Sequence, residues 1–104
     1  MQSHYAPIAG VELVTAGELR TRAEALLLSG RRVAVVAANP LDLPREAAAF
    51  SMPADVTDFA RALYATFREI DRKGFDLILV VPPPDSGLGW AIRDRLIRAA
   101  SPRR

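Results

Sequence analysis

Between Pro82 and Trp90 the chain sets three consecutive prolines, an Asp85-Ser86 pair and two glycines one residue apart, directly after the apolar run Leu77-Ile78-Leu79-Val80-Val81. A strand ending in a glycine turn at a helix start can hold an anion. The first N–H groups of a helix lack intrahelical acceptors, and the helix dipole favours negative charge there. Strand ends in open α/β sheets are also where ligands bind. Gly87, Leu88, Gly89 and Trp90 are therefore candidates for an anion- or partner-binding loop. The N–H groups of Gly87, Leu88 and Gly89 would be the donors, and the Trp90 ring would stack on a base or a partner. The spacing is neither the Gly-x-Gly-x-x-Gly fingerprint nor a Walker loop with its Lys and Ser/Thr. The competing reading is a rigid turn that packs the last helix close to the sheet, with Trp90 at the rim.

His4 is the only histidine, and there is no cysteine. No second ligand lies near it, so no metal site is expected. The His4-Tyr5 pair is a ligand contact or an inert pair in an N-terminal linker. Asp55, Asp58, Glu69, Asp71, Asp76, Asp85 and Asp94 fall at helix caps, helix faces and turns. No spacing forces two of them together as an acid/base dyad, and no nucleophile elbow or Ser-His-Asp order is present.

The elements that would position these groups follow from periodicity. Residues 1–10 carry Pro7, Gly10 and no repeat, and read as an extended linker. Val11 to Val14 is a short strand. Thr15 with Glu18 three residues later forms a capping box, and Leu19, Ala23, Leu26 and Leu27 follow at helical spacing up to Gly30. Arg32 to Ala37 is a β-branched run suited to a strand buried on both faces. Residues 47–52 read as a short strand, because Pro53 blocks a helix and holds Met52 extended. Asp55 is an N-cap, Asp58 suits the first turn, and Phe59, Leu63, Phe67 and Ile70 form the buried stripe of a helix ended by Gly74. Leu77 to Val81 is the most apolar strand. The last helix runs from about Gly87 to Ala100, with Leu88, Ile92, Leu96 and Ala99 inward and an Asp94–Arg98 pair outward. The order β-α-β-β-α-β-α predicts an α/β, Rossmann-like fold: a mostly parallel sheet of four to five strands with three main helices.

Composition bounds the partners. The 104 residues suit one domain. Without cysteine, disulfides and thiol chemistry are excluded and a cytoplasmic setting is permitted. No stretch approaches the ~18 apolar residues of a membrane span, and the N-terminus does not read as a signal peptide. The net charge is +2. Residues 93–104 hold five Arg and one Asp, so the excess is a basic tail rather than a broad patch. Nucleic-acid binding needs a basic stripe with interleaved aromatics, which argues against direct contact.

Three ordered motifs resemble one family. The run Pro82-Pro83-Pro84-Asp85-Ser86-Gly87-Leu88-Gly89-Trp90-Ala91-Ile92-Arg93-Asp94-Arg95-Leu96-Ile97-Arg98-Ala99-Ala100 resembles the closing signature of the C-terminal domain of two-domain L-threonylcarbamoyladenylate synthases. Ser3-His4-Tyr5-Ala6-Pro7 is similar to their interdomain linker, which reads Pro-Gly-Met, a few variable residues, then His-Tyr-Ala-Pro; Met1 falls at that Met. Asp58 to Asp71 resembles the helix that reads Ala-Arg-x-Leu-Tyr-x-x-Leu-Arg-x-x-Asp, with Phe67 where Leu is usual.

The resemblance implies a division into a linker, residues 1–10, and a Rossmann-like domain, residues 11–104. It implies a synthase whose YrdC-like domain condenses threonine, bicarbonate and ATP into threonylcarbamoyl-AMP and pyrophosphate, for threonylcarbamoyladenosine modification of transfer RNA. That catalytic domain is the implied partner, in cis in the family, with supply in trans the alternative for this chain. ATP, magnesium and threonine would belong to it, leaving this chain without a cofactor or catalysis of its own. His4, Tyr5 and Pro7 are implied to touch the substrate pocket. None of the catalytic domain's nucleotide- and threonine-binding motifs is found, so a truncated frame, a cloned fragment or a separately supplied half is expected. The alternative is a stand-alone nucleotide- or phosphate-binding module using the Pro82–Gly89 loop.

Overall fold

Four short runs of small, β-branched and aliphatic residues pair into one sheet. The computed structural model of the chain describes residues 7–38 and 43–82. The strands are β1 (Gly10–Leu13), β2 (Val33–Ala37), β3 (Ala48–Ser51) and β4 (Leu77–Val80), with helix α1 (Leu19–Leu28) after β1 and α2 (Val56–Arg72) after β3. The sheet order is β1-β4-β2-β3 and every pairing is parallel. Gly10 stands opposite Leu77, Val33 opposite Leu77 on its other side, and Ala34 opposite Ala48.

The topology explains the layers. The chain steps from β1 over β4 to β2, then from β3 back over β2 to β4. Right-handed crossovers that run in opposite directions place their helices on opposite faces. The core divides accordingly. Ala34, Val36, Ile78 and Val80 pack with Phe59, Leu63, Phe67 and Ile70 of α2. Val33, Val35, Ala37 and Leu79 pack with Leu19, Ala23 and Leu26 of α1. All five residues of β2 are buried, as a strand covered on both faces requires.

Local signals set the helix ends. The Asp55 side chain accepts from the Asp58 N–H at 3.1 Å. The Thr15–Glu18 capping box forms: Thr15 N–H donates to Glu18 Oε1 at 3.0 Å and Glu18 N–H to Thr15 Oγ1 at 3.2 Å. It closes a turn before α1, which starts only at Leu19 with Glu18 as an N-cap that makes no side-chain cap bond. Gly30 and Gly74 end the helices at φ of 87° and 79°, where any Cβ would be strained.

The α/β class and the parallel sheet agree with the sequence reading. Residues 47–52 do form a strand, trimmed to β3. Val14 lies just past β1 yet keeps the ladder, donating to the Val80 carbonyl at 3.0 Å. Two helices stand among the described residues. The third, expected from about Gly87 to Ala100, lies outside them.

Candidate functional site

Proline lacks an N–H, so Pro7 can be buried without leaving a donor unpaired. It is buried, and so is Ala9, which joins the α2-side core. Within the expected linker, then, Pro7 and Ala9 already pack on the domain and Gly10 belongs to β1. Between them Ile8 points outward, 90% exposed.

The backbone here is held by one carboxylate. Asp71 lies in the last turn of α2. Its Oδ2 accepts the Ile8 N–H at 2.8 Å and its Oδ1 accepts the Ala9 N–H at 3.1 Å. The next N–H, of Gly10, donates to the Asp76 carbonyl at 3.0 Å. Three consecutive donors of the incoming chain are therefore satisfied, two by a single side chain.

The loop after α2 is braced as well. Arg32 Nη1 donates to the carbonyls of Lys73 and Gly74 at 3.1 and 2.9 Å. Its guanidinium carbon sits 5.0 Å from the centre of the Phe75 ring, an attractive cation–π distance. Phe75 meets Phe50 edge-on at 6.1 Å. The Arg32 N–H donates to Asp76 Oδ2 at 2.9 Å. The corner that receives residues 7–10 is thus tied to β2 by side-chain bonds, to β3 by an aromatic contact and to α2 through Asp71.

The described ends of the two sequence-predicted regions, Pro7 and Pro82, lie at different edges. Residue 7 leads into the start of β1, while Pro82 leaves the end of β4. Because β1 and β4 are parallel neighbours, these positions stand at opposite edges of the sheet. Pro7 is at the first edge. His4 and Tyr5, and Gly87, Leu88, Gly89 and Trp90, lie outside the described residues.

An open cleft of about 650 Å³ flanks β1, lined by Glu12, Leu13, Val14, Gly17, Thr21 and Arg22 among others. Its charged side chains are engaged by neighbours. Arg22 donates through Nε and Nη2 to the two Glu12 carboxylate oxygens, the latter at 3.0 Å. The hydrogen bond and charge of Glu12 raise the Arg22 pKa. Glu18, also on the wall, is engaged by the Thr15 N–H. Among the described residues no polar or charged side chain is buried, and no three His, Asp or Glu converge as a metal site. None of their helices is long and apolar enough to cross a membrane.

Sequence reasoning missed Asp71 as a contact residue because its partners are 62 and 63 residues away. One signal could have found it: Asp71 is the closing Asp of the helix motif singled out above. The Glu12–Arg22 pair carried no such mark.

The chain matches the family described as "Threonylcarbamoyl-AMP synthase, C-terminal domain" over residues 1–101. It is 32% identical over 103 residues to a threonylcarbamoyl-AMP synthase of Pyrococcus abyssi, covering 93% of this chain and 29% of that protein. The fold is similar to the crystal structure of P. abyssi Sua5 complexed with L-threonine, at a TM-score of 0.77 and 29% identity, over 93% of this chain and 29% of the other. A P. abyssi Sua5 in which an adjacent histidine and tyrosine are both replaced by alanine gives a TM-score of 0.78 at 27% identity, over 91% and 28%. A C-terminal Sua5 domain from Pyrococcus horikoshii shares the fold at a TM-score of 0.72 and 24% identity, over 88% and 93%. This chain therefore spans under a third of the curated relative that it matches and nearly all of that isolated domain. On the family match, which runs almost from end to end, the chain belongs to the threonylcarbamoyl-AMP synthase C-terminal domain family.

Proposed function

We propose that this domain is the regulatory lid of a threonylcarbamoyl-AMP synthase, acting on a YrdC-like catalytic domain that carries the chemistry. In this reading threonine, bicarbonate and ATP become threonylcarbamoyl-AMP and pyrophosphate on that partner, for threonylcarbamoyladenosine modification of transfer RNA in the cytoplasm. His4, Tyr5 and Pro7 then form the arm that closes over the pocket. The observation that carries the reading is the seat of that arm. With Pro7 buried and Ile8 and Ala9 tied to Asp71, His4 lies four residues from a fixed point. At about 3.3–3.6 Å per residue it can reach no more than ~14 Å from it. Support also comes from the relatives: P. abyssi Sua5 binds L-threonine in its crystal, and an adjacent His-Tyr pair was the chosen target of substitution in it. Magnesium, implied with ATP for the whole synthase, finds no cluster of three or more acidic or histidine ligands among the described residues. No step in this chain is routed through it.

The test is pyrophosphate release from ATP with threonine and bicarbonate, run on this chain, on a separate YrdC-like domain, and on the mixture. The expected result is silence from the chain alone and a faster rate in the mixture than from the catalytic domain. An unchanged rate in the mixture rejects the lid.

A second reading has one observation in its favour. All four strands are parallel, and Pro82 leaves the edge formed by their C-terminal ends, where α/β sheets bind ligands. A nucleotide or phosphate held by the Pro82–Gly89 loop would stabilise the domain by about 2.7 kcal/mol at a hundredfold excess over Kd. Thermal melts with ATP, AMP and pyrophosphate that show no shift reject this reading.

A further inference from the structure

We propose that the corner where the chain enters β1 is a docking surface for the YrdC-like catalytic domain. Ile8 is its apolar centre, and Arg31, Arg72 and Lys73 form a cationic rim that meets an acidic face of that domain. The identity of the partner rests on the reading above, whereas the surface rests on described residues of this chain.

Ile8 is one of two large apolar side chains that the described residues leave exposed, at 90%; the other is Leu28. What sets Ile8 apart is its backbone. Pro7 and Ala9 on either side are buried. The Ile8 and Ala9 N–H groups both donate to the Asp71 carboxylate, at 2.8 and 3.1 Å. The fold therefore holds an isoleucine out in solvent on a fixed stretch of chain. A contact group fixed in advance loses less freedom when a partner binds.

The charges come together only in the fold. Arg31-Arg32 and Arg72-Lys73 are two basic pairs far apart in sequence. Arg32 Nη1 donates to the Lys73 and Gly74 carbonyls at 3.1 and 2.9 Å, which brings the pairs to one corner. The two carboxylates of that corner are turned onto backbone: Asp71 takes the Ile8 and Ala9 N–H groups, and Asp76 Oδ2 takes the Arg32 N–H at 2.9 Å. Arg31, Arg72 and Lys73 are exposed, and none of them forms an ion pair among the described residues. Cations just past the end of a helix suit its dipole. That accounts for their sign and leaves the isoleucine held beside them unexplained. An apolar centre with a polar, arginine-bearing rim is the anatomy of a protein interface. A phosphate backbone would gain nothing from Ile8.

The occupant follows from position. β1 is the first strand, and residues 7–9 lead into it at this corner. The matched family is a C-terminal domain, and the chain spans 29% of its P. abyssi relative, so most of that relative's chain precedes the matched part. A domain that precedes residues 7–9 meets this corner first.

The test is the affinity of the chain for a separate YrdC-like domain, by calorimetry. Ile8→Ser is expected to weaken Kd about tenfold. The triple variant Arg31→Gln, Arg72→Gln, Lys73→Gln is expected to weaken it about tenfold as well, mostly through slower association. Leu28→Ser, equally exposed but on α1 across the sheet, should stay within about twofold. Raising the salt from about 0.1 M to about 1 M should weaken wild-type binding and narrow its gap to the triple variant. All the replaced side chains are on the surface, so urea midpoints near that of the wild type confirm the fold.

Each contrary outcome removes a stated piece. No binding by the wild-type chain overturns the proposal. Wild-type affinity in Ile8→Ser and in the triple variant also overturns it, while the pyrophosphate assay above still decides the lid. Equal losses in Leu28→Ser and Ile8→Ser overturn the corner as the site. A chain that self-associates in sedimentation, and stops doing so with Ile8→Ser, assigns the corner to a second copy and overturns the choice of partner. The expected losses of affinity without any stimulation of pyrophosphate release uphold the docking surface and reject the lid.

Discussion

The two faces of the sheet are covered by helices of unequal strength. On one face α2 lays Phe59, Leu63, Phe67 and Ile70, all within 2% of complete burial, across β-branched and aliphatic side chains of β2 and β4. On the other, α1 offers Leu19, Ala23 and Leu26, a thinner layer at 6%, 0% and 5% exposure. Helix α2 has 17 residues and a side-chain N-cap, while α1 has 10 and no side-chain bond from its N-cap. The residues that receive the linker follow the same division: Ala9 and Val11 join the α2-side core and Asp71 belongs to α2 itself. The open cleft lies beside α1. The incoming residues 8, 9 and 11 are thus rooted in the layer with the larger side chains and the longer helix.

Core truncation puts the greatest strain on this contrast. Phe67→Ala is expected to cost about 3–5 kcal/mol and Leu26→Ala about 2–3 kcal/mol, measured as shifts in urea midpoint. A larger loss at Leu26 would invert the ranking of the faces. The helix ends give a smaller effect. A Cβ at Gly74 would lie 3.1 Å from Arg32 Nη1, whereas one at Gly30 meets nothing within 4 Å. Both substitutions carry the strain of a positive φ, so Gly30→Ala should cost about 1 kcal/mol and Gly74→Ala about 2 kcal/mol. Equal losses would mean that the Arg32 brace yields freely. Smallest is the difference at the helix starts. Asp55→Ala should lower stability by about 1 kcal/mol, and Thr15→Ala by roughly half as much, since its box closes a turn ahead of α1. Thermal melts resolve the order, and a larger effect at Thr15 would show that α1 depends on that turn more than its geometry implies.

Much of this division can be read from the chain, because it is written in local spacing. The Phe59–Leu63–Phe67–Ile70 stripe, the Asp55 cap and the glycine stops at positions 30 and 74 each follow from residues within one or two turns, and all stand where expected. Pro53 decided in favour of a strand over residues 47–52, and β3 is there. Strand order could not be read, since every strand here is short and apolar and none marks its neighbour. The Asp71 anchor was hidden for a related reason. A carboxylate near a helix end has many ordinary uses, and only the fold brings Ile8 and Ala9 beside it. Arg32 looked like the lead-in to a strand, and its brace across Lys73, Gly74 and Phe75 needs α2 and β3 already in place. Of the candidate site, Pro7 alone falls on described residues, and its burial could not be foreseen from a segment without periodicity.

The place of β4 in the sheet also governs time. Leu77–Val80 separates β1 from β2, and β1 has no other hydrogen-bonded strand among the described residues. The first strand of the domain therefore waits for the last of the four before it has anything to pair with. Contacts of such long sequence separation slow folding, because loop closure must precede the gain from pairing. On a ribosome β2 and β3 can meet early, while Gly10–Leu13 stays unpaired until some 67 residues later in the chain have emerged. Ile8 and Ala9 take their places on the same schedule, because Asp71, which accepts their N–H groups, precedes β4 by only a few residues.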